Sequence, residues 1–168
     1  MVVLPVPEAL CRECGLCCRF SDPEVLTPWA TRPEGETLLP ALFRAERPIA
    51  LVSGTGKMNL PVQVCDAFDP STSRCTLWGR NPADCRLYPL VLVVRNGFFL
   101  LALDPDCPFS QKKPFSYFLE WAERFRDLEW SRLREEEISR LLPLAEAEDR
   151  PHYREVLSLG ETGCKKCR

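Results

Sequence analysis

The chain has 168 residues and a formal net charge of −2, with 22 Lys and Arg against 24 Asp and Glu. A chain of this length suits one compact domain with a small extension, and the near balance of charge gives no basic surplus for nucleic acid. It contains no apolar run of the roughly 18 residues that a membrane span needs and begins without the regions of a signal peptide, so we expect a cytoplasmic protein that binds neither nucleic acid nor a membrane.

Ten cysteines stand out in this composition. Thiols stay reduced in the cytoplasm, so this content favours metal binding over disulfides, except in hyperthermophiles. The 16 prolines and the excess of Arg over Lys are typical of a thermophile or of a GC-rich genome. Disulfides therefore stay open as an alternative, chiefly for Cys164 and Cys167 in the C-terminal C-K-K-C.

Near the N-terminus, four cysteines share the run C-R-E-C-G-L-C-C at 11–18, which we predict to be a loop: Cys11, Cys14, Cys17 and Cys18. Thiolates this close repel one another and oxidise easily unless a metal or an iron–sulfur cluster neutralises them. Adjacent side chains of an extended segment point to opposite sides. We therefore expect Cys17 and Cys18 to serve two centres, or one of them to stay outside the coordination shell.

The next part of the chain alternates helix and strand patterns. Thr27 predicts a helix start, and an apolar face predicts a second helix between Thr37 and Pro48. Residues 49–52 and 60–64 predict two strands, and Cys65 ends the second. The connecting S-G-T-G-K at 53–57 lacks the spacing of a phosphate loop.

Two further cysteines follow on short predicted elements. The sequence D-P-S-T-S-R at 69–74 predicts a turn, and Cys75 is predicted to open a short strand. Asn81 and Pro82 predict the cap and first residue of one helical turn that carries Cys85.

The clearest pattern is a β-hairpin of residues 90–95 and 98–103, joined by Asn96-Gly97 as a type I′ turn. Cys107 follows it in the segment D-P-D-C-P. Asp104 and Asp106 flank this cysteine, and turn chemistry around Pro105 accounts for them.

Residues 114–142 show a helical pattern that Pro143 should end, and a shorter helix is predicted for 151–159. The one histidine, His152, is predicted to be a surface residue near that helix start. These patterns predict an α+β fold, in which helices cover a small antiparallel β region with cysteine-bearing loops and a long C-terminal helix follows. We predict a cysteine-cluster metal-binding domain at 1–110 and a helical extension packed on it at 111–168, with the C-x-x-C tail.

The cysteine spacing indicates the kind of centre. C-x2-C-x2-C with a remote fourth cysteine before a proline, as in Cys107-Pro108, is typical of cluster ligation, whereas structural zinc sites usually show two short knuckles. Eight thiolates can form two four-sulfur sites. One partition, which the sequence does not fix, sets Cys11, Cys14, Cys17 and Cys107 against Cys18, Cys65, Cys75 and Cys85.

The run at 11–18, together with C-T-L-W-G-R-N-P-A-D-C-R-L-Y-P-L at 75–90, resembles the CxxCxxCC, or YkgJ-like, cysteine-cluster family, described as zinc- or iron-chelating domains. Asn81 replaces a common Arg of the family, and Trp78 a common Tyr. The resemblance covers residues 11–107. It implies eight metal ligands: Cys11, Cys14, Cys17, Cys18, Cys65, Cys75, Cys85 and Cys107. Larger relatives such as flagellin lysine methylases carry a similar motif and are associated with an iron–sulfur cluster, which favours iron.

We therefore predict a cytoplasmic protein that holds a 4Fe-4S cluster or iron, with a role in redox chemistry, sensing or cluster handling. One alternative is a zinc-stabilised interaction module with an unknown protein partner. Another is a thiol oxidoreductase that uses Cys164 and Cys167, or a component of a methylase-like enzyme. The sequence shows no catalytic motif, so whether the protein is an enzyme stays open.

Overall fold

The computed structural model describes residues 6–14, 19–20, 51–55, 61–78 and 83–162. Contacts divide these residues into two compact units, one of Val6–Cys85 and one that begins at Arg86. Helices and small antiparallel sheets are both present, which confirms the predicted α+β class. No helix in the described ranges is long and apolar enough to cross a membrane.

The first unit contains short elements, in the order α1 (Glu8–Cys14), β1 (Arg19–Phe20), β2 (Leu51–Thr55), β3 (Pro61–Cys65), β4 (Phe68–Asp69), β5 (Arg74–Cys75) and the start of α2 (Ala83–Leu87). Strand β3 lies between β1 and β2 in an antiparallel sheet, with Val64 opposite both Arg19 and Val52. The predicted pair of strands at 49–52 and 60–64 is thus confirmed, displaced by one to three residues at its ends. The helices predicted between Thr27 and Pro48, and the Asn81-Pro82 cap, lie outside the described residues.

The second unit is built on a three-stranded antiparallel sheet. Strand β7 (Phe98–Leu103) lies between β6 (Leu90–Arg95) and β8 (Arg154–Glu161). Asn96 and Gly97 join β6 to β7 with φ angles of 54° and 79°. These positive values at both central positions are those of the predicted type I′ turn, so the hairpin is confirmed.

Helices bury the core of this unit. After the short helix α3 (Pro108–Lys112), helix α4 (Phe115–Leu128) buries Phe118, Ala122 and Phe125 along one face and contacts β8. The Trp130 ring lies 5.2 Å from that of Phe99 between centroids, and its Nε1 donates a hydrogen bond to the Leu159 carbonyl at 3.1 Å. Helix α5 (Glu135–Glu148) contacts β6.

The single long helix predicted for 114–142 is wrong, because the chain breaks between α4 and α5. A short 3-10 segment, Trp130–Arg132, follows α4, and extended backbone at Leu133 and Arg134 precedes α5. The Glu137 carboxylate accepts the Arg134 N–H at 2.9 Å, and α5 begins with three glutamates. Negative charge near a helix N-terminus is favourable, so these residues mark a new helix start.

Two other predictions in this region are wrong. Pro143 lies inside α5 and does not end it. The helix predicted for 151–159 is instead strand β8, which pairs with β7 from Phe98↔Glu161 to Leu103↔Arg154. Pairing with an already buried strand outweighs the weak local preference of this segment.

Arg95, at the end of β6, links the hairpin to the chain after α5. Its Nε donates to Asp149 Oδ2 at 3.1 Å, its Nη2 donates to Asp149 Oδ1, and the same guanidinium reaches the carbonyl oxygens of Arg150 and Tyr153. The hydrogen bonds that Arg95 donates to the Asp149 carboxylate raise the pKa of Arg95 above its ordinary value. This contact is bidentate and partly buried, a geometry that only arginine provides.

We expect Arg95→Met to lower the free energy of unfolding by about 1–3 kcal/mol, because it removes the guanidinium that donates to the Asp149 carboxylate and to the Arg150 and Tyr153 carbonyl groups. Urea unfolding followed by circular dichroism measures this change. Arg126→Met is the matched control, since Arg126 forms an ion pair with Asp127 on the exposed surface and its loss should leave stability near wild type. Equal losses in the two variants would contradict a stabilising role for the Arg95 contact.

Candidate metal centre

Two of the predicted ligands lie on one face of the first helix. The Pro7 carbonyl accepts the N–H groups of Leu10 and Cys11 at 3.0 and 3.3 Å, which starts α1. Cys11 and Cys14 are three residues apart and therefore neighbours on the helix surface. Both are half-buried, although α1 buries none of its residues. The predicted loop is wrong up to Cys14, and Cys17 and Cys18 lie outside the described residues.

Cys65 and Cys75 lie on two separate small antiparallel sheets of the first unit. Cys65 is the last residue of β3, opposite Leu51, and Cys75 is the last residue of β5, opposite Phe68. The Ala67 carbonyl accepts both the N–H and the hydroxyl of Thr76, at 2.8 and 3.1 Å. Cys75 ends its strand and does not open one, because only two residue pairs form the ladder before the chain turns. Both cysteines are half-buried.

The turn between these two cysteines is held by Asp69. Its carboxylate accepts the hydroxyl of Thr72 at 2.6 Å and the hydroxyl and N–H of Ser71 at 2.7 and 2.9 Å. These hydrogen bonds lower the pKa of Asp69 to about 2, and the one from the Thr72 hydroxyl has the largest effect. The turn predicted for D-P-S-T-S-R is confirmed, and it fixes the direction in which the chain returns to Cys75.

The remaining two predicted ligands differ in exposure. Cys85 lies on α2, as predicted, and is exposed. Cys107 belongs to the second unit, is 5% exposed and directly precedes Pro108, the first residue of α3. Its carbonyl accepts the N–H and the hydroxyl of Ser110 at 2.9 and 2.7 Å.

Sequence reasoning did not bring together Asp104, Asp106 and His152, whose side-chain ligand atoms all lie within 4.8 Å of one another. The turn interpretation of the carboxylates is confirmed, since Asp104 Oδ1 accepts the Asp106 N–H at 2.9 Å. His152 is exposed, as predicted, but lies in the turn before β8, with its Nε2 at 3.8 Å from Asp106 Oδ2. The histidine lies near the aspartates because β8 pairs with β7. No spacing of residues in the sequence predicts that pairing.

The donor set fits a thiophilic metal. All six described cysteines are present as thiols. Sulfur donors of this kind select zinc, copper(I) and iron–sulfur clusters over magnesium or calcium. Among the five cysteines that the structure describes in the first unit, no three sulfur atoms lie within 4.8 Å of one another. The grouping of the eight cysteines into centres therefore stays a prediction.

The chain matches the model of a known protein family. The model of the family CxxCxxCC, described as "Putative zinc- or iron-chelating domain", matches residues 10–108, more than half of the chain. The matched region contains all eight predicted ligands and agrees with the resemblance seen at 11–107. Neither a curated protein nor a solved structure shows significant similarity to the chain.

Proposed function

Because the chain belongs to the CxxCxxCC family of zinc- or iron-chelating domains, we propose that its clustered cysteines hold iron, as a 4Fe-4S cluster or as iron ions. We further propose that the protein works in the cytoplasm in redox chemistry, in sensing or in cluster handling. The family assignment supports metal binding as such. The choice of iron rests on the spacing of the first cysteine run, which is that of cluster-binding loops.

The observation that carries the proposal is the incomplete burial of the five cysteines that the structure describes in the first unit. A cysteine that serves only packing is usually among the most buried residues of a protein. Here Cys11, Cys14, Cys65 and Cys75 are half-buried and Cys85 is exposed. Packing alone does not explain five accessible thiols in a unit of short elements, whereas metal ligation does.

The electrostatics of the first run supports the same conclusion. Four thiolates within the eight residues 11–18 would carry a combined charge of about −4, and Arg12 is the basic residue in the last turn of α1. Two or more thiolates held together stay ionised when a cation neutralises them. The eight cysteines named above are the residues that we propose as ligands.

The two candidate metals differ in the chemistry that they supply. A bound iron–sulfur cluster supplies reversible one-electron transfer, and zinc supplies a redox-inactive cross-link between loops. The residues of this chain would hold either group and set its exposure to solvent, to which reduction potential and stability respond.

The test is the metal content and visible spectrum of the full chain purified under anaerobic conditions. We expect iron and acid-labile sulfide, and a visible charge-transfer band that bleaches on reduction. The Cys164→Ser, Cys167→Ser double variant should keep the iron, the sulfide and the visible band, since these residues lie outside the matched region. Colourless protein that contains zinc alone would contradict the proposal and would establish the zinc-stabilised module in its place.

A further inference from the structure

The turn that precedes Cys107 is held by a buried carboxylate. Asp104 is 8% exposed and directly follows β7. Its N–H donates to the Pro89 carbonyl at 2.9 Å, which extends the β6–β7 ladder by one hydrogen bond. Its Oδ1 accepts the Asp106 N–H at 2.9 Å and so fixes the chain one residue before Cys107. The direction in which the chain enters Cys107 thus depends on how the Asp104 side chain is oriented.

Tyr88 provides that orientation. Its hydroxyl donates to Asp104 Oδ2 at 2.8 Å, so that one carboxylate oxygen holds the turn and the other holds Tyr88. Tyr88 is half-buried and stands three residues after Cys85 in the chain. A hydrogen bond to a buried carboxylate is stronger than one between neutral groups, and it restricts the carboxylate to one rotamer.

The chain beyond Cys107 is fixed as well. The Cys107 carbonyl accepts from Ser110, and the Gln111 side-chain amide donates to the Pro105 carbonyl at 3.0 Å. Backbone bonds on both sides therefore leave Cys107 with little freedom. A metal ligand needs such support, because an angular or positional error of the ligand atom weakens the metal bond directly.

We propose that Tyr88 is a positioning residue for the metal ligand Cys107, acting through its hydrogen bond to Asp104. The inference rests on the proposed function, since it requires Cys107 to bind the metal. Loss of the supporting groups of metal ligands typically costs 10- to 100-fold in affinity. Tyr88 belongs to the supporting group, because its hydroxyl contacts the residue that orients the ligand.

The test uses the full chain loaded anaerobically with Co²⁺ alone, whose thiolate charge-transfer band reports on the sulfur ligands. Tyr88→Phe should bind Co²⁺ to the wild-type stoichiometry but lose it to excess EDTA about tenfold faster, with a shifted band. Asp104→Asn should act in the same direction. Tyr117→Phe is the matched control, since the Tyr117 hydroxyl makes no hydrogen bond within the described ranges and its ring packs on Phe109 and Phe118.

A Cys107→Ser background separates positioning from general structural support. Cys107→Ser alone should accelerate Co²⁺ loss, and adding Tyr88→Phe should then change neither the rate nor the band. An equal effect of Tyr88→Phe in both backgrounds would overturn the proposal, as would a Tyr88→Phe variant that behaves like Tyr117→Phe. If Cys107→Ser itself matches wild type, or if wild type binds no Co²⁺, the ligand assignment of the proposed function fails first and the positioning role falls with it.

Discussion

Cys14→Ser should remove metal from the full chain to an extent that elemental analysis detects without ambiguity. Cys14 ends α1 on the same face as Cys11, and both are half-buried. A serine hydroxyl is not ionised at neutral pH and is a poor donor for thiophilic metals. Loss of a ligand should weaken binding by more than the roughly 10- to 100-fold that loss of a supporting group costs. We therefore expect the purified variant to lack the complement of at least one centre.

The measurement is metal per chain after anaerobic purification and after desalting against a weak chelator. Cys167→Ser is the matched control, since it is the same substitution outside the region that the family model covers, and it should keep the wild-type content. Cys11→Ser should follow Cys14→Ser, because the two thiols share one helix face. Metal content that stays at the wild-type value in Cys14→Ser would refute the assignment of this cysteine as a ligand.

The largest loss of stability should come from Phe125→Ala. Phe125 is fully buried on the inner face of α4, together with Phe118 and Ala122. Removing a buried phenyl group loses its transfer free energy and leaves a cavity, at a typical cost of about 3–5 kcal/mol. Because whole domains are stable by only about 5–15 kcal/mol, the variant should unfold at a much lower urea concentration. Trp130 lies in the same unit, and its fluorescence reports on the transition.

Leu128→Ala provides the comparison within the same helix. Leu128 is 45% exposed, so its truncation removes little buried surface, and alanine does not lower helix propensity. The urea midpoint of Leu128→Ala should lie close to that of the wild-type protein. If both substitutions shift the midpoint by the same amount, the buried face of α4 has been assigned wrongly.

The hairpin was predictable because its signal is local. Asn-Gly between two apolar runs specifies a turn that needs positive φ at two positions, and the structure has 54° at Asn96 and 79° at Gly97. The Asp69 turn was predictable for the same reason, since side chains within three residues of Asp69 satisfy its carboxylate. Such features depend only on residues that are close together in the chain, so the sequence alone is enough to predict them.

The C-terminal elements were predicted wrongly because their structure depends on hydrogen-bond partners that the local sequence pattern does not reveal. Arg154–Glu161 becomes a strand only because β7 is available to pair with it. The three glutamates at 135–137 lie in the first turn of α5, and the hydrogen bond from the Arg134 N–H to Glu137 marks a helix start within what the sequence pattern predicts as one continuous helix. Pro143 removes one backbone N–H from the hydrogen bonds of α5, yet the helix continues for five residues beyond it.

The same distinction applies to the candidate metal centre. The set of eight ligands is a prediction, which rests on the cysteine content and on the family resemblance, and both are visible in the sequence. The half-burial of Cys65 and Cys75 and the contact of Tyr88 with Asp104 follow from tertiary structure. The aspartates and His152 were assigned separately, because His152 lies 46 positions after Asp106 and the three helices α3, α4 and α5 lie between them in the chain.

The position of β7 in its sheet has a consequence for synthesis on the ribosome. Strands β6 and β7 can pair as soon as both have emerged, but β8, which occupies the other edge of β7, is translated much later. Until then the nascent chain presents F-F-L-L-A-L with one row of backbone groups open to pairing, which is the arrangement that favours association between chains. Slow translation between these strands should therefore increase the dependence of this protein on chaperones that shield nascent β edges.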